Sequence, residues 1–301
     1  MAATVHMPSK NPSSTKKKIQ AAPPVGGTRK SSRPPPPAEP IRPATVEERI
    51  ALINERLERQ DPVFLAEYRE SFDMSWIYHD SAIEGTVYTY QELRGAFDRP
   101  LVNGEGGFEG GSGQPIVEEI RRHRQAIEFI RVESAKKKEP MTIDFVKQLY
   151  LILHPEEGDV KTVRYRKDIP QHRLYFHEYA APDKISNKVK AVVDWINDPE
   201  SKKGRSAVRF ATRAHYDLLR VFPFTNDSGK VARLIMNLLL LRASAPPAIC
   251  HSTERQRYYE ALKGSSSAMT QIVQEAIDNN LASVEKLLDK RASIGAIPIP
   301  R

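Results

Sequence analysis

Residues 222–233 read Phe222-Pro223-Phe224-Thr225-Asn226-Asp227-Ser228-Gly229-Lys230-Val231-Ala232-Arg233. A Leu-rich helical stretch ends at Val221, a polar turn follows, and a second apolar helix is expected to open near Gly229. A turn feeding a helix N-terminus presents unpaired N–H groups and the positive end of the helix dipole, which together attract an anion. Lys230 and Arg233, three positions apart, share one face of the first turn and suit a phosphate chain. The same residues fit an ordinary helix–turn–helix connection carrying two surface cations.

Other residues with chemical potential are more scattered. His215 lies on a helix beside Tyr216 and Leu218, which suits a packed histidine better than a catalytic one. His172 and His177 fall in an irregular stretch with Arg173, Tyr175 and Phe176. Tyr258 and Tyr259 could stack on an adenine or pack a C-terminal helix. Cys250-His251 has no partner pair at zinc-site spacing, so no metal is expected there.

The elements that position these residues are helical by pattern. Thr45 caps a helix that carries Val46, Ile50, Ile53 and Leu57 and ends before Pro62. A second covers roughly 63–83, with Phe64, Leu65, Tyr68, Phe72, Trp76 and Ile77 on one stripe. Thr89-Tyr90-Gln91-Glu92 is a capping box that opens a third. Further helices are expected near 115–133, 142–153, 184–197, 205–220, 229–243, 253–262 and 267–289. Between them, Tyr165–Tyr179 alternates weakly and reads as a small β-hairpin or irregular flap. Residues 103–113 hold six glycines and read as a flexible loop. There is no internal repeat. The fold class is all-α: residues 45–102 form N-terminal helices, 114–290 the core, and 291–301 a C-terminal tail.

The chain has 301 residues and a formal charge of +8, from 46 Lys/Arg and 38 Asp/Glu. Residues 1–44 hold eight of the basic side chains and one of the acidic. The remaining 257 therefore carry 38 basic and 37 acidic groups and are nearly neutral. The basic character belongs to the tail, so neither nucleic acid nor a membrane is an expected partner. Ten of the 23 prolines also fall in residues 1–44, including the run Pro34–Pro37, with almost no large apolar side chains. Such a segment cannot offset its ordering entropy and is expected to be disordered. It suits an SH3-like groove, an acidic surface, or plain solvation. A single cysteine, Cys250, excludes an internal disulfide framework and suits a reducing compartment, so the cytoplasm is the expected location. No run of residues reaches membrane-spanning length.

The segment 222–233 resembles the signature of the Fic (Fido) family, H-P-F-x-(D/E)-G-N-G-R-x-x-R, whose members mostly transfer AMP from ATP to a protein hydroxyl. His215 to Val221 resembles the lead-in to that motif. Arg164-Tyr165-Arg166 is similar to the family's G-x-Y-R element, Trp195 falls on the helix after the flap, and Arg255 to Leu262 resembles the aromatic stretch near the base. The resemblance extends over about residues 45–290. Asp80-Ser81-Ala82-Ile83-Glu84-Gly85 also resembles the family's inhibitory-helix motif, (S/T)-x-x-x-E-(G/N), with Asp80 where Ser or Thr is usual. The resemblance implies that Glu84 pairs with Arg233 and blocks the seating of a γ-phosphate. It further implies that Ser228, Gly229, Lys230 and Arg233 hold the nucleotide, and that Arg173–Tyr179 meets a protein target by strand-like pairing.

Within that frame the departures fall on the chemistry. The general-base histidine is Phe222, and losing a positioned base typically costs about 10²–10⁴ in rate. The magnesium-binding acid is Asn226, a neutral oxygen donor for a cation that favours carboxylates and phosphates. Asp227 places a carboxylate where phosphate should approach; two like charges 4 Å apart repel by about 1 kcal/mol in water. Lys230 keeps charge but loses the bidentate fork of an arginine.

Three readings follow. In the first, the protein is deficient in AMP transfer, acts by binding a protein partner, and holds ATP with Mg²⁺ weakly at most. In the second it is an active transferase using Asp227 as substitute base or metal ligand, or His215 or His172 in place of the missing imidazole. In the third it is a nucleic-acid adaptor working through the basic tail.

Overall fold

The computed structural model describes residues 45–98, 114–170 and 179–295. Local sequence signals set most helix ends. Helix α1 (Val46–Glu58) starts at Thr45, whose side chain and that of Glu48 cap each other's backbone N–H groups. Helix α2 (Pro62–Glu84) begins with Asp61 as cap and Pro62 in its first turn, and stops at Gly85, which takes a left-handed φ of 102°. Helix α3 (Tyr90–Phe97) opens on the Thr89–Glu92 capping box. Then come α4 (Gln114–Ser134), α5 (Ile143–Leu153), α6 (Ile185–Asn197), the single turn α7 (Pro199–Lys202) and α8 (Ala207–Val221). Helices α9 (Ser228–Arg242), α10 (Arg255–Gly264) and α11 (Ser266–Gly295) complete the order.

The hub is α9. Every residue from Ser228 to Leu240 is buried, because helix α9 is apolar almost all round and so must be enclosed. Helix α8 lies along one side of it and α4 along another, while α5 and α2 close further faces. Helix α11 packs on α8 and carries α1 and α10. The core therefore surrounds the helix that opens at the polar turn. Residues Ala44–Arg301 form one compact unit, with elements from both sides of the Gly-rich loop in it.

The all-α expectation holds, and no strand occurs among the described residues. The expected hairpin is not supported. Its described part, 165–170 and Tyr179, is irregular backbone, and residues 171–178 lie outside the described residues. The tail 1–44, the loop 103–113 and the flap residues His172, Arg173 and His177 also lie outside them. Helix α11 continues through residues 291–295, into the stretch expected as a C-terminal tail, and the Ser293 hydroxyl donates back to the Lys290 carbonyl. Among the described residues, no helix is long and apolar enough to cross a membrane.

Candidate functional site

The turn between α8 and α9 is held by staples that involve no ion pair. Phe222 ends α8 in a left-handed conformation (φ 49°), uncommon for a bulky residue. It is held there by Arg166, which is 5 % exposed. The Arg166 Nε donates to the Phe222 carbonyl at 2.6 Å, and its other nitrogens donate to the carbonyls of Val221, Ala180 and Asp168. The backbone N–H of Arg166 adds a bond to the Pro223 carbonyl. Phe224 is fully buried and lies flat on Tyr150, with ring centroids 3.9 Å apart. The Ser228 hydroxyl accepts from the Phe224 N–H and donates to the Phe224 carbonyl, closing the loop. His215 is buried against the Tyr258 hydroxyl at 2.6 Å, and burial followed by nearby Arg233 pushes its pKa down to about 3.

Charge gathers at the first turn of α9. Asp227 precedes the helix, also left-handed (φ 50°), and its carboxylate does not cap the backbone. It receives His154 Nε2 at 2.9 Å and Lys230 Nζ at 3.1 Å instead. Burial alone would raise the Asp227 pKa, but the bonds from His154 and Lys230 outweigh it and hold the group well below the usual carboxylate range. His154 is reached by Glu156 through its other nitrogen at 2.9 Å. Burial lowers its pKa, yet the two carboxylates leave it raised overall. Lys230 also meets Glu119 at 3.2 Å, and Glu119 accepts from the Tyr88 hydroxyl at 2.6 Å.

Glu84, the last residue of α2, reaches the same turn from above. Its carboxylate accepts from Arg233 Nη2 at 2.7 Å. It lies so close over Gly229 that a Cβ at that position would collide with it and push the Glu84 carboxylate aside. Two residues of α10 fix the end of α2: Arg255 Nε and the Tyr259 hydroxyl both donate to the Ile83 carbonyl, at 2.7 and 3.0 Å.

Together Glu84, Asn226, Asp227, Gly229, Lys230 and Arg233 line one cavity of about 170 Å³. That is below the roughly 300–1,000 Å³ of typical small-molecule sites. Of the residues expected here, Gly229 is covered by Glu84, Asn226 is exposed at the mouth, and Phe222 is buried against Tyr179. Lys230 and Arg233, expected to hold a nucleotide, are each only 3 % exposed in the side chain and paired with carboxylates. The Ser228 hydroxyl is likewise committed to Phe224. In this arrangement the site does not fit a magnesium-bound triphosphate, because two carboxylates occupy the approach to the helix N-terminus. Among the described residues no group of three or more His, Cys, Asp or Glu could hold a metal ion. His154, Glu119 and Tyr88 are site residues that sequence reasoning missed; no local pattern marks them, and each arrives from a distant element.

Residues 140–240 match the Fic/DOC family model. Among curated proteins, the chain is 30% identical over 190 residues to the protein adenylyltransferase Fic of Nematostella vectensis, covering 62% of this chain and 42% of that one. It is 28% identical over 203 residues to the protein adenylyltransferase fic-1 of Caenorhabditis elegans, covering 64% and 36%. The chain thus spans less than half the length of these relatives. Its fold is similar to that of C. elegans Fic-1 (residues 134–508), with a TM-score of 0.62 at 22% identity over 82% of this chain and 73% of that one. It is also similar to a Fic-domain-containing signalling protein from Bacteroides thetaiotaomicron, with a TM-score of 0.60 at 21% identity over 80% and 95%. The match to the Fic/DOC family model takes in the stapled loop, α5 to α8 and most of α9, so the chain carries a Fic/DOC family domain at residues 140–240.

Proposed function

We propose that this is a divergent Fic-domain protein deficient in adenylyl transfer, which acts by engaging a protein partner in the cytoplasm. The relatives named protein adenylyltransferases indicate the reaction at stake, which needs a base to take a proton from the attacking hydroxyl. The observation that carries the reading is Phe222. At the motif's histidine position stands a buried hydrocarbon ring, packed on Tyr179, with no atom able to take a proton. Asp227 is a poor substitute base, since the His154 and Lys230 bonds stabilise its carboxylate and weaken its basicity. His215 is buried and engaged with Tyr258. In this reading the partner meets the segment Arg173–Tyr179, with the basic tail as a second contact for an acidic surface or SH3-like groove. ATP with Mg²⁺ requires movement of Glu84 and Asp227 before it can enter.

The test is to incubate the full chain, and its Glu84→Gly variant, with Mg²⁺ and ATP labelled at the α-phosphate, in the presence of a complex protein mixture. No labelled protein is expected from either. Robust labelling that vanishes in Asp227→Ala would instead establish an active transferase with a relocated base.

A further inference from the structure

Arg233 is surrounded by more negative charge than Glu84 supplies. Asp80 lies one turn earlier on the same face of α2, and its side chain is only 5 % exposed, against 22 % for Glu84. Arg233 Nε donates to Asp80 Oδ1, and Nη2 donates to the Asp80 main-chain carbonyl at 3.2 Å as well as to Glu84. Nη1 reaches the Tyr258 hydroxyl at 3.5 Å. Four of the five N–H groups of the guanidinium are therefore engaged. The far oxygen of Asp80 faces His123 Nε2 of α4 at 3.0 Å. Burial would raise the Asp80 pKa, but Arg233 and His123 together lower it to about 2, so this carboxylate is charged at neutral pH.

We propose that Asp80, rather than Glu84, is what withholds Arg233 from an anionic ligand, so that removing Glu84 opens space in the groove without exposing positive charge. This rests on the proposed reading of the groove as a closed site, and it names Asp80 as the residue that decides the groove's ligand preference. Without Glu84, the guanidinium keeps three of its four bonds and a full counter-charge in contact with Nε. An incoming phosphate would meet a neutral pair instead of a cation. With Ser or Thr at position 80, Arg233 would have Glu84 as its one carboxylate partner, and displacing Glu84 would liberate the charge.

The experiment compares Asp227→Gly/Glu84→Gly with the same chain carrying Asp80→Asn in addition. Asn keeps the size of the side chain and an acceptor for Nε while removing the charge. The Asp227→Gly background removes the other carboxylate from the approach. In calorimetric titration with Mg·ATP, the double variant is expected to give no binding, and the triple variant to bind at least about tenfold more tightly than the detection limit set by the double. Inorganic pyrophosphate at about ten times its Kd is expected to raise the Tm of the triple variant by roughly 3 °C and to leave the double unmoved. A purely structural Asp80 would lower the Tm without making it anion-dependent. Equal affinity in the two variants, or no binding by a folded triple variant, overturns the proposal. If Asn is not tolerated, Asp80→Ser takes its place. Labelled-ATP transfer is assayed on the same samples: binding without transfer supports both readings, whereas transfer would overturn the loss of activity and leave the role of Asp80 standing.

Discussion

The turn between α8 and α9 has two halves built on different principles. The half from Phe222 to Phe224 is held by neutral packing and by side chains that satisfy backbone groups: the Arg166 fork on four carbonyls, Tyr150 under Phe224, and the Ser228 hydroxyl. The half from Asp227 to Arg233 is held by charge, with each cation facing at least two carboxylates. The first half spends its side chains on holding the shape of the turn. The second has turned its charges on one another. Shape and chemistry separate because packing depends on residue size and polarity, whereas ligand binding depends on which charges are left over.

Substitutions in each half separate the two. Arg233→Met should be the most damaging, because it strands the buried carboxylate of Asp80. A loss of about 3–5 kcal/mol is expected in denaturant unfolding. Arg166→Ala removes the fork under the left-handed Phe222 and should cost about 2–4 kcal/mol, with the all-helical far-ultraviolet spectrum retained. If it costs less than Ser228→Ala, the stapling assignment is wrong. Ser228→Ala leaves the buried N–H and C=O of Phe224 unpaired and should cost about 1–3 kcal/mol without altering the pH profile.

The smallest effect concerns α2. His79 stacks on His251 with centroids 3.8 Å apart, and its pKa is lowered to about 4 by burial first and then by His251. Because the folded value lies below the unfolded value of 6.5, the unfolded chain binds the proton more readily between these limits. Stability should therefore fall as pH drops from 6.5 towards 4, and His79→Gln should flatten that slope when Tm is measured across the range. An unchanged slope would assign it to His215, whose depressed pKa acts in the same direction.

Much of this was legible beforehand. The caps at Thr45 and Thr89 and the apolar periodicities set helix positions to within a few residues, since these signals lie within one or two turns of the residues they control. The Asp61 cap before Pro62 is a signal of the same kind that sequence reasoning missed. The Glu84–Arg233 pair was readable from motif resemblance. The remaining contacts of Arg233, Lys230 and Asp227 were not. Asp80 and Arg233 are 153 positions apart, and His154 and Asp227 are 73 apart. No periodicity relates such positions; the packing of α2, α4 and α5 around α9 creates the contact. Asp80 could have been suspected, because its four-residue spacing from Glu84 aims both at one target. The resemblance implies a nucleotide role for Ser228, yet its hydroxyl is bonded to the Phe224 backbone four residues away.

The Arg166 fork grips the carbonyls of Asp168 and Ala180, which flank residues 171–178, together with those of Val221 and Phe222. One guanidinium thus ties Asp168 and Ala180, twelve positions apart, to the turn. Losing that single side chain would release both of these positions and the end of α8 together.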